Sequence, residues 1–456
     1  MTGLGRSTGR KRPDGRDRAP EPGQDRVPFK NRCNVLFFRV FTTRDLYLSR
    51  VIWLKRHRWL IAILVVSTVV RVAMAHDRDR WPLTTDEADR ERQGLVYATH
   101  CLGVEDAASY RAPEYPLLIA MIYAVAGTET VYVRYLQAFV SALVALLVYH
   151  LARRLRDARV PVLAALVAAF YPLWLLRSVS LLPDALVALL VVAICLQATR
   201  MSEDSTVGRA LILGGMAGVA ALSGLVLLVW IPFVTCLVIL NPTRGRIGDA
   251  LNRLAALACG LLVVLVPWMI RNETVTGYRL LVPNDTSLQL LIGHEPRARG
   301  TRDVRRDYVR MYERMTMDEG DPVQKERTGS AAVWQWVSDA PGRSAELGLR
   351  KMWSLWNSVV PDVSRRIRLG HFLSGFAVTA FGLAGICRYH RRERVSQVVA
   401  SVLLVWTVYT IVFYTSPEGR VPTDLCLIPL SAAMALCFYD HAREVVARRL
   451  RELEAA

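Results

Sequence analysis

Apolar residues run along this chain in blocks of membrane-spanning length, with polar residues gathered between them. The blocks lie near 58–75, 131–152, 160–177, 181–199, 208–222, 224–240, 254–270, 371–387, 395–414 and 421–440, and they predict about ten transmembrane helices. Several fall short of the roughly 20 residues that a perpendicular helix needs. The blocks 208–222 and 224–240 are so close that they read either as two spans or as one re-entrant hairpin.

The charges between the blocks alternate in a consistent way. Arg153, Arg154, Arg156 and Arg159 fill the connection after the second block, and Arg200 and Arg209 flank a later one. Arg244, Arg246 and Arg253 fill another, and Arg388, His390, Arg391, Arg392 and Arg394 a fourth. With the basic stretches 1–58 and 441–451, all of these fall on one side of a membrane if both termini are cytoplasmic. The opposite connections include two long polar segments, His76–Thr130 and Arg271–Gly370. The fold class expected is therefore an all-α polytopic membrane protein with two long external loops.

Five parts follow from this pattern. Residues 1–57 form a basic cytoplasmic tail. Residues 58–270 form a transmembrane core with a first external loop at 76–130. Residues 271–370 form a second external loop, 371–440 the last transmembrane helices, and 441–456 a cytoplasmic tail. Residues 1–30 lack an apolar core and read as disordered, and no apolar stretch follows closely enough for a signal peptide. The stretch 33–54 reads either as an amphipathic helix on the inner membrane surface or as an ordinary basic flank.

Composition agrees with this picture. The chain is 52% hydrophobic yet carries a formal charge of +18, with mean hydropathy +0.24. The basic residues are spread over the connections and not collected on one soluble domain, which sets nucleic acid aside as a partner. Cys195, Cys236, Cys259, Cys426 and Cys437 fall within apolar blocks, where cysteine acts as a small apolar residue. No CxxC pattern offers a zinc site.

The first external loop carries the candidate chemistry. Asp86 and Glu87 stand side by side just after the first span, and Ala88–Tyr97 has helical composition. The doublet then opens a short helix, whose dipole favours ionised acids at its N-terminus. Tyr110, Arg111 and Tyr115 follow in a proline-fixed turn. Pro116–Gly127 is too short to span and predicts a helix lying in the interface, where tyrosines suit the depth. In the second loop, Arg271 and Asn272 close a span, and Gly293-His294-Glu295-Pro296 ends a turn-rich segment. Residues 303–357 predict amphipathic helix, with Trp334, Trp336, Trp353 and Trp356 late in the run. Glu418 and Arg420 sit in the turn between the last two spans. Arg420 reads either as the partner of Glu418 or as a cation sharing a cavity with Asp86 and Arg271. Asp184 reads either as a helix N-cap after Pro183 or as a cavity-lining acid.

Taken together, these segments resemble the GT-C membrane glycosyltransferases, in particular the protein O-mannosyltransferases and aminoarabinose (lipid A) transferases. The resemblance runs from about residue 58 to 440. It rests on the Asp-Glu pair, on YRAPEYPLLIAMIYAVAG, on VRYLQAFVSALVALLVYHLARRL and on YPLWLLRSVSLLPDAL. It rests most specifically on PWMIRNETVTGYRLLVPNDTSLQLLIGHEP, and finally on PEGRVPTDLCLIPL. Ala112 and Glu114 depart from the family's usual residues in the first turn, Ser223-Gly224 stands where Arg-Pro is common, and Asp285 and His294 depart in the second loop.

The resemblance implies transfer of a sugar from a polyprenyl-phosphate donor to a lipid, glycan or protein hydroxyl on the periplasmic face of a bacterial inner membrane. It belongs with cell-envelope glycans or lipopolysaccharide. Asp86 is then the expected base, with Glu87 orienting or binding. Arg111, Arg271 and Arg420 are the expected partners of the donor phosphate, where negative charge develops. Tyr110, Tyr115, Asn272, Asp285 and His294 are expected to line the cavity. No cofactor is specified: some GT-C enzymes use a divalent cation and others none, and one Asp-Glu pair is not a metal ligand set. The competing readings are a transporter or flippase of lipid-linked sugars, a related lipid-linked oligosaccharide polymerase or ligase, and a non-catalytic descendant. A transporter would place charged or broken helices near the midplane with repeat symmetry.

Overall fold

The computed structural model describes residues 43–100, 112–239, 247–278, 286–294, 322–357, 365–413 and 417–455. The chain divides into two compact units, 1–56 and 57–456. In the first, only the helical backbone of 43–56 is described; the expectations for 1–42, Tyr110, Arg111 and Asp285 and the Glu418 side chain lie outside the described residues. Everything below concerns the second unit.

Among the described residues the regular structure is helical, without strands. The order is α1 (Thr43–Arg78), α2 (Thr85–His100), α3 (Glu114–Ala126), α4 (Thr130–Ala152), α5 (Val160–Phe170), α6 (Pro172–Arg177), α7 (Asp184–Glu203) and α8 (Val207–Ser223). Then come α9 (Leu225–Ile239), α10 (Ile247–Thr276), α11 (Thr286–His294), α12 (Pro322–Asp339), α13 (Pro341–Trp356), α14 (Arg365–Tyr389) and α15 (Arg394–Val412). A 3-10 turn (Pro417–Arg420) leads into α16 (Val421–Ala455).

Seven helices are long and apolar enough to cross a membrane: parts of α1, α4, α7, α10, α14, α15 and α16. These match seven of the ten apolar blocks. The other three are shorter helices. Block 160–177 breaks at Tyr171, because Pro172 disfavours helical backbone in the residue before it. Blocks 208–222 and 224–240 become α8 and α9, separated at Gly224, whose φ of +151° suits only glycine.

The first long polar segment forms the helix expected from the doublet, α2, with Asp86 and Glu87 in its first turn. The apolar run after it forms α3. Gly94 of α2 lies so close to Ile119 of α3 that a Cβ there would fall 2.4 Å from the isoleucine side chain. The amphipathic run of the second loop forms α12 and α13 within 322–356.

The main core joins α4, α5, α6, α7, α8, α15 and α16 through Val144, Ala164, Trp174, Ile194, Leu213, Val399 and Leu427. Trp230 of α9 ties in by donating its indole N–H to Ser401 at 3.1 Å. Small residues bring α8 and α10 into backbone contact: a Cβ on Gly214 would lie 2.0 Å from the Leu257 carbonyl, and one on Gly260 2.2 Å from that of Leu211. In a lipid environment such close approach replaces the missing hydrophobic drive between helices. By contrast α1 sits at the rim, with Val65, Val66 and Val69 exposed.

Candidate active site

The turn after α1 and the start of α2 are built by one motif. Thr84 and Glu87 form a reciprocal cap: the Thr84 N–H and hydroxyl both donate to Glu87 Oε2, at 2.9 and 3.0 Å, and the Glu87 N–H reaches back to Thr84 Oγ1 at 3.4 Å. Arg78, in the last turn of α1, donates to the same oxygen at 2.7 Å. The second oxygen, Oε1, accepts the main-chain N–H of Leu181 at 2.9 Å. The Glu87 side chain is fully buried. Burial alone would raise its pKa; the N–H groups of Thr84 and Leu181, then Arg78, outweigh that and hold it below the ordinary carboxylate value.

A second buried charge backs the first. Arg134 of α4 has no exposed surface, lies 3.8 Å from Glu87 and 3.5 Å from Asp79, and donates to the Val179 carbonyl at 3.1 Å. Asp79 accepts the Thr130 hydroxyl at 2.6 Å. Gln137, one turn further along α4, donates to the Leu182 carbonyl at 2.8 Å. Side chains from α2 and α4 thus seize the main chain of the α6–α7 connection at three successive places. The doublet is therefore divided. Glu87 is committed to internal partners on both oxygens, while Asp86 beside it is half-exposed.

Tyr115 opens α3 fully buried, within electrostatic reach of Asp184, Arg134, Arg90 and Glu87. Asp184 is the first residue of α7, and its N-cap is Pro183, with no side-chain cap. The Asp184 carboxylate pairs with Arg177 at 2.6 Å, so the role of N-cap gives way to an ion pair across the α6–α7 connection.

Arg271 and Asn272 close α10 near the far end of α2. Arg271 donates to Asn272 Oδ1 at 3.1 Å and lies 5.1 Å from the centre of the Trp268 ring. Its charge also acts on Tyr97, whose phenol is raised by burial and partly drawn back by Arg271. Tyr97 stands three turns beyond Asp86, about 16 Å along the α2 axis.

The remaining candidates form a third group. His294 ends α11, with Nδ1 3.1 Å from the Leu290 carbonyl. Burial and the neighbouring Lys351 both lower its pKa. Lys351 of α13 is buried and donates to the Phe413 carbonyl at 2.8 Å; burial brings its amine down to about 8. Gly293 makes room for that carbonyl, since a Cβ there would fall 2.3 Å from it.

Arg420, fully buried, pairs with Asp424 through contacts of 2.8 to 3.1 Å. It also donates to Leu355 O at 3.3 Å, Trp356 O at 3.0 Å and Thr379 Oγ1 at 2.5 Å. Burial opposes its charge, yet Asp424 raises its pKa overall. The Tyr171 hydroxyl donates to Asp424 at 2.6 Å. The alternative in which Arg420 opens onto a cavity shared with Asp86 and Arg271 thus meets a different arrangement: its guanidinium is engaged by Asp424 and by the end of α13.

Arg78, Arg134, Asp424 and Lys351 had not been singled out from the sequence. Arg134 and Asp424 did carry a signal, as charged residues inside or at the edge of apolar blocks. Among the described residues no group of three or more His, Cys, Asp or Glu side chains is arranged to hold a metal ion. A cavity of about 430 Å³ opens at the other end of α4, lined by Asp157, Glu393, Asp440 and Glu444; it is remote from Asp86.

With this geometry in view, the chain can be set beside known proteins. Residues 110–270 match the family described as dolichyl-phosphate-mannose-protein mannosyltransferase. The oligosaccharyltransferase of Archaeoglobus fulgidus, in a crystal structure of its apo form, superposes with a TM-score of 0.52 at 16% identity over 87% of this chain and 52% of that one. This protein has the fold of a GT-C membrane glycosyltransferase. A second structure of the archaeal enzyme AglB, in complex with an inhibitory peptide and a dolichol-phosphate, has a TM-score of 0.49 at 14% identity, over 87% of this chain and 52% of that one. The chain spans about half the length of the solved structures it matches. No curated protein matches it in sequence. The GT-C resemblance drawn from the motifs and the helical membrane architecture are both upheld. Within the family-matched stretch lie Tyr115, Arg134, Asp184 and most of α10, whereas Asp86, Glu87, Arg271 and Asn272 fall outside it.

Proposed function

We propose that this chain is an integral-membrane glycosyltransferase that moves a sugar from a polyprenyl-phosphate donor to an acceptor hydroxyl. The reaction takes place on the face of the membrane opposite the Arg-rich connections, the periplasmic face of a bacterial inner membrane. The observation that carries this reading is the division of the acidic doublet. Glu87 is locked at the end of α1, and Asp86 is left half-exposed on the next residue of a fixed helix turn. A general base must reach an acceptor hydroxyl from a rigid support, and the half-exposed position of Asp86 on the first turn of α2 supports its assignment to that role. Glu87 is then a positioning residue.

A lipid phosphate is already a stable leaving group, so the step calls for cations near the developing charge and not for an acid. Arg271 takes that role, with Arg111 from the first external loop. Arg420 is assigned instead to fixing the turn before α16. The acceptor is a lipid, a glycan or a protein.

The test is sugar transfer in membranes from cells expressing wild type, Asp86→Asn or Glu87→Gln, supplied with radiolabelled polyprenyl-phosphate sugars. Loss of label from the donor with wild type and its collapse in Asp86→Asn, at equal protein level, is the expected result. Unchanged turnover in Asp86→Asn removes Asp86 as base. Absence of turnover with every donor removes the enzyme and favours a transporter.

A further inference from the structure

Arg71 lies inside α1, seven residues before Arg78, hence about 10 Å deeper along the helix axis. It has no exposed surface. Its Nε donates to Ser178 Oγ at 3.1 Å, and its Nη1 to the Ser67 carbonyl at 3.4 Å and to the Ser67 hydroxyl. These partners are neutral, and among the described residues no carboxylate comes within ion-pair distance. Its Nη2 meets no acceptor. The guanidinium carbon lies 6.0 Å from the centre of the Trp174 ring. Trp174 is fully buried as well, and its indole N–H also meets no acceptor.

Arginine and tryptophan side chains are donors only. Two adjacent buried donors, one of them charged, therefore share one unmet requirement: an acceptor carrying negative charge. A cation held inside a membrane span without a counter-ion is costly, and such residues mark substrate or ion paths. On α1 itself Val69 and Val72, on either side of Arg71, are exposed, and only 28% of its apolar window is buried, so this helix presents an apolar face to lipid. A lipid can thus approach Arg71 sideways without crossing water.

We infer that Arg71 and Trp174 form a subsite for the phosphate of a membrane lipid, reached between α1 and α6. The inference rests on the proposed function for its ligand, a polyprenyl phosphate, and deepens it by naming a holding site below the reaction centre at Asp86. Phosphate oxygens accept from Nη2 and from the indole N–H, and the guanidinium supplies the charge. The isoprenoid chain remains in the bilayer.

The experiment uses the purified full-length protein in nanodiscs and farnesyl phosphate as probe, with farnesol and inorganic phosphate as controls. Wild type is expected to bind farnesyl phosphate, and Arg71→Met about tenfold or more weaker, the loss of a charge-assisted hydrogen bond. Trp174→Phe, which keeps the ring and loses the donor, weakens it severalfold, and farnesol binding does not change in any variant. Removing an uncompensated buried cation also leaves the ligand-free thermal midpoint of Arg71→Met at or above that of wild type.

Wild-type affinity in Arg71→Met overturns the inference. So does an equal loss of farnesol and farnesyl phosphate binding, or full competition by inorganic phosphate alone. If Arg71→Met fails to fold, unaltered binding in Trp174→Phe overturns it. Arg71-dependent binding in a protein that transfers no sugar from any donor would retain the subsite and remove the enzyme reading.

Discussion

The Glu87 carboxylate accepts the main-chain N–H of Leu181 at 2.9 Å, although 94 residues separate them. The contact fastens the first turn of α2 to the connection between α6 and α7, and it comes from the residue that caps α2. A single side chain therefore ends one segment, starts another and joins a third. Glu87→Ala removes the partner of Arg78, Arg134 and two N–H groups, all in a buried place. Breaking a buried charge pair from one side costs about 3–5 kcal/mol. The expected outcome is a large fall in thermal midpoint for Glu87→Ala and a smaller one for Glu87→Gln. Asp86→Asn, on the half-exposed neighbour, should melt like wild type.

The same carboxylate gives a pH dependence of known sign. Its folded pKa lies below the ordinary value. Its contribution is present above the ordinary carboxylate pKa and is lost as pH falls through the lowered one. Thermal midpoints taken from pH 7 down to pH 3 should show an acid-side loss that is diminished in Glu87→Gln. An identical acid profile in the two proteins would contradict the buried geometry of Glu87.

Lys351 gives a dependence of the same sign at higher pH, but from the neutral form being favoured and not the charged one. Its folded pKa is about 8, below the ordinary 10.5, because burial disfavours the charged amine. Between those two values the unfolded chain holds a proton that the folded one lacks, so stability rises with pH across that window. One proton of difference between the two states is worth about 1.4 kcal/mol for every pH unit crossed. Lys351→Met keeps the length and removes the titration, and it should flatten the rise between pH 8 and 10. The measurement is the thermal midpoint of both proteins over that range.

Much of this architecture is legible in the sequence because hydrophobic blocks report helices directly. Seven of the ten blocks survive as membrane-length helices, and Tyr171-Pro172 announces its own break. The start of α2 is written as Thr84-Thr85-Asp86-Glu87, a threonine followed three residues later by glutamate. That spacing already separates Glu87, which must fold back to the cap, from Asp86, which need not. The pairing of Arg420 with Asp424 is likewise one helical turn apart. What no pattern shows is the other end of each contact. The Leu181 N–H, the Val179 carbonyl and the Phe413 carbonyl are main-chain groups without a sequence signature. The first two become partners because α2 and α4 converge on the α6–α7 connection, and the third because α13 packs against the end of α15.

The Arg420–Asp424 pair makes a further prediction about the turn before α16. Asp424→Asn leaves a buried guanidinium with its neutral partners only, and should cost about 3–5 kcal/mol. Tyr171→Phe removes one hydrogen bond to the same carboxylate and should cost about 1–3 kcal/mol, the upper end applying to a charged acceptor. Because both act on Asp424, their effects should not add in the double variant. Thermal unfolding of the four proteins in one detergent completes the cycle, and strict additivity would show that Tyr171 and Arg420 do not share Asp424.

The contact of α8 with α10 tests the membrane core in a region free of charge. At Gly214 and Gly260 any Cβ would fall within 2.0 and 2.2 Å of a facing backbone carbonyl. A backbone cannot yield like the tip of a flexible side chain, so the two helices must separate. Gly214→Ala and Gly260→Ala are each expected to destabilise by about 1–3 kcal/mol, as overpacking does elsewhere. Gly208→Ala, at the start of the same α8 and with open space around its Cβ position, should be neutral or slightly stabilising through helix propensity. Thermal midpoints of the three variants, compared at equal detergent, distinguish close packing from a general intolerance of α8 to alanine. A fall in Gly208→Ala as large as in Gly214→Ala would mean that the carbonyl of Leu257 is not what makes glycine necessary.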